Sequence, residues 1–201
     1  MKRIIFLCGI IFSLILAGCQ PSVKSHVEGE GPLSVRVGGG GLSMKFENDD
    51  APWQGTAGAF MPCVAKGKKE LEITKIGYVE HNLAKPVNVK VIKRVVVGMD
   101  AQDPIGASRG VPPNLEGGYL SGDISEDVVG TMVTESCDGP VDYSNFTEFL
   151  FVIESDEAGM HIEEVFFEYK VGGRLYVLEV PREIVFCGEA TKDHRLCSGY
   201  E

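Results

Sequence analysis

The chain is expected to fold as an all-β protein, a single antiparallel β-sandwich. Three observations lead there. Apolar and polar residues alternate in short runs such as Val87, Val89, Val91 and Val165, Phe167, Tyr169, Val171, the period-two signature of strands with one buried face. Glycine and proline punctuate those runs, and Gly172 with Gly173 stands between two of them, where positive φ angles close a tight hairpin. No segment sustains a helical period with caps at both ends, so sheets rather than helices must enclose the core.

The N-terminus reads differently. Residues 1–18 open with Lys2 and Arg3, continue as an apolar run from Ile4 to Leu16 and end in small residues. A helix crossing a bilayer needs roughly 20 apolar residues, so this run fits the hydrophobic stretch of a secretory signal. The order Leu16, Ala17, Gly18, Cys19 resembles the lipobox of bacterial lipoprotein precursors. That resemblance implies removal of residues 1–18, transfer of palmitate-class acyl chains to Cys19, and a lipid-anchored, extracytoplasmic chain on a cell membrane or outer membrane. Gln20 is not the Asp retention signal of that family, so the pattern allows export to an outer membrane. Residues 19–32 comprise this cysteine and a stretch of Pro, Gly, Ser and charges without periodicity. They are expected to form a flexible tether, leaving residues 33–201 as the sandwich domain.

Within the domain, Leu33, Val35, Val37 and Leu42, Met44, Phe46 alternate on either side of Gly38–Gly41, which reads as a turn in a loose or bent hairpin. A phosphate loop would need a Lys followed directly by Ser or Thr after the glycines, and that pattern does not follow. Leu71 and Ile73 share one face and Ile76 and Tyr78 continue it after a one-residue slip, predicting a bulge near Thr74 and Lys75. The valines from Val87 to Val97 make the next strand. Residues 149–153 are apolar at every position, as in a central strand buried on both faces. The hairpin around Gly172 and Gly173 follows, then a last strand at Ile184–Cys187. Between Gly98 and Ser144 lies a long irregular segment rich in proline and glycine, with room for a short strand near Val128–Thr134. Its middle is expected to be mobile.

The stretches PCVAKGKKELEITKIGY near residue 63 and FFEYKVGGRLYVLEVPREIVFC ending at residue 187 resemble the immunoglobulin-like domains of secreted bacterial proteins. Trp53 departs from the antibody-type pattern, since it precedes the first cysteine rather than lying between a bonded pair.

Charge and cysteine usage bound the function. The 201 residues carry 19 basic and 29 acidic side chains. Removing residues 1–18 takes away only Lys2 and Arg3 among them, leaving 17 against 29 and a formal charge of −12. Such a surface repels nucleic acid phosphates, so no nucleic acid partner is expected. Cys63, Cys137, Cys187 and Cys197 form an even set, read as two disulfides in an oxidising compartment. Three connectivities are open; local closure favours Cys187 with Cys197 and Cys63 with Cys137, and Cys63 with Cys187 competes.

Motifs for chemistry are sparse. No GxSxG elbow occurs, and the four thiols are better used in bridges than as nucleophiles. The histidines are His26, His81, His161 and His194, without HxH or HExxH spacing. His26 falls in the expected tether, His81 at a strand end, and Met160 with His161 in packing positions. A thiolate zinc site lacks a CxxC pair and finds only His194 nearby. The acidic run Asp123 to Asp127 lacks the spacing of a calcium loop. No catalytic residue, metal ligand or cofactor is assigned. The expected role is that of a membrane-anchored binding or structural module for an envelope protein or polymer. An envelope hydrolase or a metal-binding carrier is the alternative.

Overall fold

The computed structural model describes residues 23–36, 40–46, 50–65, 67, 70–98 and 103–198. In chain order the strands are β1 (Lys24–Val27), β2 (Leu33–Arg36), β3 (Leu42–Lys45), β4 (Trp53–Val64), β5 (Leu71–Glu80), β6 (Asn88–Val97), β7 (Ala107–Val111) and β8 (Asn114–Leu115). They continue with β9 (Gly118–Tyr119), β10 (Asp123–Ser125), β11 (Met132–Val133), β12 (Asn145–Ser155), β13 (Met160–Val171), β14 (Arg174–Val180) and β15 (Ile184–Cys187), followed by a 3-10 helix at Glu189–Thr191. Among the described residues there is no α-helix. The all-β sandwich expected from period-two patterning is what the chain forms.

The first sheet is organised around β13. Along one edge β13 pairs antiparallel with β5; along the other it meets β15 at Met160–Ile162 and β14 at Val165–Val171. β1 and β3 extend that second side by parallel pairing, β1 on β14 and β3 on β15. The second sheet runs β10, β6, β12, β4, β7, β8, β9, with β2 also pairing to β4. The inner faces meet through aromatic side chains. Phe167 of β13 lies 5.9 Å from Phe149 of β12 and 6.4 Å from Phe60 of β4, centroid to centroid, and all three are fully buried. Each such burial contributes about 1.5–3 kcal/mol.

Several local expectations hold for identifiable reasons. Gly172 and Gly173, at φ 54° and 79°, close the β13–β14 hairpin, as a two-residue turn with both central residues at positive φ requires. In β5 the register steps from Glu168↔Lys75 to Tyr169↔Ile73, so Thr74 is the extra residue of a bulge where the apolar period slips. β12 lies between β6 and β4, which explains its continuous apolar run. Phe149, Phe151 and Ile153 face the inter-sheet core, while Leu150 joins Ile92 and Leu120 on the opposite face.

Other expectations are corrected. Leu33–Arg36 and Leu42–Lys45 do not form a hairpin; β2 joins β4 in one sheet and β3 joins β15 in the other. Residues 37–39, most of the intervening turn, lie outside the described residues. The tether reading of residues 19–32 gives way at Lys24–Val27, which pair with Tyr176–Glu179 as an edge strand. Pro, Gly and charge content hid this strand because most of β1 is exposed and so has no alternation to read. The middle of the 98–144 segment is docked rather than loose. β7 pairs with β4, β10 pairs with β6, and Leu120, Ile105, Leu115 and Ile124 cover the outer face of β12. The short strand expected within Val128–Thr134 is β11.

Candidate functional site

Both disulfides match the locally favoured pairing. Cys63 at the end of β4 joins Cys137, and Cys187 at the end of β15 joins Cys197. Each ties a strand to an irregular segment that follows it in the chain. Trp53 stacks on Phe46 at 5.1 Å rather than on a bridge, so the antibody-type arrangement is absent and the sandwich stands without that subclass. Cys19, with Leu16, Ala17 and Gly18, lies outside the described residues.

The Cys187–Cys197 bridge shapes the chain's main cluster of histidines. His161 projects from the start of β13, Glu183 immediately precedes β15, and His194 sits in the turn inside the disulfide loop. Pairing of His161 with Val185 across β13 and β15 brings the first two elements together. The turn is fixed by Thr191, whose hydroxyl donates to Phe186 O at 2.8 Å and accepts from Gly188 N–H at 2.8 Å. Glu183 Oε1 then lies 3.5 Å from His161 Nε2 and 3.4 Å from His194 Nε2. The two imidazoles meet edge to face at 4.6 Å. Glu183 Oε2 accepts from the exposed Arg195 guanidinium. His81 closes the far side, stacked on His161 at 5.4 Å, with its turn tied by His81 N–H donating to His161 O and His161 N–H donating to Ala84 O.

The electrostatics of the cluster follow from burial. His161 is 9 % exposed, and its Nε2 has no hydrogen-bond partner. Desolvation first, and the neighbouring His194 second, push its imidazole below the usual histidine value; Glu183 pulls the other way. His194 Nδ1 accepts from Leu196 N–H at 3.2 Å, which leaves the proton of the neutral ring on Nε2, facing Glu183.

His26, expected in a tether, instead has Nε2 2.5 Å from the Tyr169 hydroxyl and pins β1 to the sheet. His81 is half-buried against His161 rather than a free loop residue. Met160 and His161 are core positions as expected, and His161 also opens onto Glu183 and His194. Sequence spacing could not reveal that convergence, because β-pairing and a disulfide assemble it from three separate elements. Asp123 and Ser125 are strand residues of β10, and Glu126 pairs with Lys90.

Two further charged features lie in the fold. Arg94 and Glu148 are fully buried, directly opposed in the β6–β12 register, with Nη1 to Oε1 at 2.5 Å. Arg182 is 5 % exposed and lies over the Phe60 ring at 5.3 Å, its Nε and Nη1 without hydrogen bonds; burial lowers its guanidinium from the usual value. An open cleft of ≈ 520 Å³ beside Trp53 and Phe46 is edged by Asp50, Arg109 and Glu116. There the Arg109 hydrogen bond holds the Glu116 carboxyl below the ordinary range. Among the described residues no helix is long and apolar enough to cross a membrane.

Fold and cross-links thus define the class: an all-β sandwich carrying two disulfides, as fits an extracytoplasmic location. No protein-family model, no curated protein and no solved structure matches the chain.

Proposed function

We propose that this chain is a lipoprotein of the cell envelope: residues 1–18 direct export and are removed, acyl chains on Cys19 hold the product to a membrane, and the sandwich serves outside the cytoplasm as a binding or structural module. The observation that carries the reading is the apolar run Ile4–Leu16 ending in Leu16, Ala17, Gly18, Cys19. The two disulfides support it, because such bridges persist in oxidising compartments. One acyl chain holds a protein only marginally, whereas two or more anchor it stably, each buried CH₂ adding about 0.8 kcal/mol. The partner class is an envelope protein or polymer; nucleic acid is disfavoured by the acidic surface.

The finding of β1 bears on where the domain would sit. Five residue steps separate Cys19 from Lys24, the first residue paired into the sheet. At no more than about 3.6 Å per step they reach about 18 Å, so the β1 edge of the sandwich would lie close to the bilayer surface.

Mass spectrometry of the N-terminus together with membrane fractionation tests the reading. The wild-type chain is expected to begin at an acylated Cys19 and to pellet with membranes. Cys19→Ala is expected to release the protein or leave the precursor uncut. An unmodified Cys19, or unchanged processing and fractionation in Cys19→Ala, overturns it.

A further inference from the structure

We infer that Nε2 of His161, Nε2 of His194 and Oε1 of Glu183 form a binding site for one divalent cation of the zinc class. Ligand atoms about 2.0–2.1 Å from a tetrahedral zinc stand about 3.3–3.4 Å from one another. Two edges of the His161, Glu183, His194 triangle measure 3.5 and 3.4 Å, and each of the three residues offers a ligand atom within 4.8 Å of the other two. The two measured contacts are long for hydrogen bonds between these groups and close to the spacing of atoms that share a metal.

A polar nitrogen in a residue only 9 % exposed normally finds a hydrogen-bond partner, yet Nε2 of His161 has none and points at Glu183. A cation would occupy that lone pair. Two imidazoles and a carboxylate are a donor set suited to zinc, and three protein ligands leave a coordination position for water. Support around the ligands is already built. Arg195 holds the second oxygen of Glu183, His81 stacks behind His161, and the Cys187–Cys197 bridge limits how far His194 can move.

Loading carries a defined structural consequence. Coordination through Nε2 requires the His194 proton to sit on Nδ1, which now accepts from Leu196 N–H at 3.2 Å. That contact must open, and the movement is confined to the turn within the disulfide loop.

The test uses the full chain, prepared in detergent without a polyhistidine tag, stripped with chelator and dialysed against Zn²⁺, with Co²⁺ as a spectroscopic probe. One zinc per chain is expected, together with the visible absorption of four-coordinate cobalt. His194→Gln and Glu183→Gln, both at partly exposed side chains, are expected to weaken binding more than about tenfold with circular dichroism unchanged; His26→Gln, outside the cluster, is expected to bind as wild type. Less than stoichiometric zinc in the wild type, or equal retention by His194→Gln and Glu183→Gln, overturns the inference. The result is independent of acylation at Cys19, because the site lies wholly within the sandwich.

Discussion

Arg94 and Glu148 form a fully buried ion pair whose two charges depend on each other. Arg94 Nε donates to Ser121 O at 2.6 Å, its guanidinium lies 5.4 Å from the Phe146 ring, and the Glu148 carboxylate also accepts from Ala59 N–H at 3.3 Å. Ala59, at φ 62°, is in the bulge of β4 opposite Phe149–Phe151, so a bulged backbone amide is turned onto the carboxylate. Burial still dominates and raises the Glu148 carboxyl above the ordinary glutamate value, with Arg94 pulling it back. Removing the cation alone should therefore be costly: Arg94→Met is expected to lower stability by about 3–5 kcal/mol, because a carboxylate is left buried without its partner. The double variant Arg94→Met with Glu148→Met is expected to recover most of that loss. Urea unfolding of the single and double variants measures it, and equal losses in both would show that the pair itself stabilises the fold. Arg94 and Glu148 were not legible as partners in the sequence. Each sits in a strand where alternation predicts only that one face is buried, and the covering segment that seals the outer face has no periodicity.

At the scale of elements, the 157–159 turn and the start of the C-terminal turn are packed without space between them. Gly159 has φ 81°, and a Cβ there would stand 2.4 Å from Phe186 O. Strain and overlap act together, so Gly159→Ala is expected to cost about 2 kcal/mol or more. It should also displace β15 relative to β13, and with it the spacing of His161 and Glu183. Thermal unfolding and the histidine ring resonances are the measurements; an unshifted midpoint with unshifted rings would mean that the turn yields freely. Neither that glycine nor the cluster it serves could be read from the chain, although much around them could. β5, β6 and the β13–β14 hairpin were legible because each buries a face and displays its period, and β12 and β15 because each carries a short unbroken apolar run. β1 and β7–β10 were not, since strands of two to five residues hold too few alternations to stand out. Parallel pairing of β3 with β15 and of β1 with β14 joins segments distant in sequence, which no local pattern encodes. The disulfide pairing was legible only as a preference for short closure, a preference that strand order could have defeated.

For the whole molecule, the two bridges differ in what they close, and that difference links stability to compartment. Cys63–Cys137 spans a separation of 74 residues and Cys187–Cys197 one of 10. By loop-closure entropy the longer bridge is worth about 4.5 kcal/mol and the shorter about 2.8 kcal/mol. Against a typical domain stability of about 5–15 kcal/mol, loss of both would leave the sandwich marginal. The longer bridge also anchors the end of the segment that covers the outer face of β12, so opening it weakens the cover that Leu120 makes over Leu150 and Ile92. Replacing Cys63 and Cys137 by alanine is expected to lower the unfolding midpoint more than replacing Cys187 and Cys197. The latter pair should instead loosen the turn that presents His194. A chain lacking residues 1–18 and made in a reducing cytoplasm is expected to carry four titratable thiols among these positions and to unfold at lower denaturant than the same chain with both bridges formed. Thiol counting and denaturant melts on both preparations measure this directly. Equal stability of the reduced and oxidised forms would mean that the hydrophobic interface between the sheets suffices alone, and that the bridges do not tie this fold to an oxidising compartment.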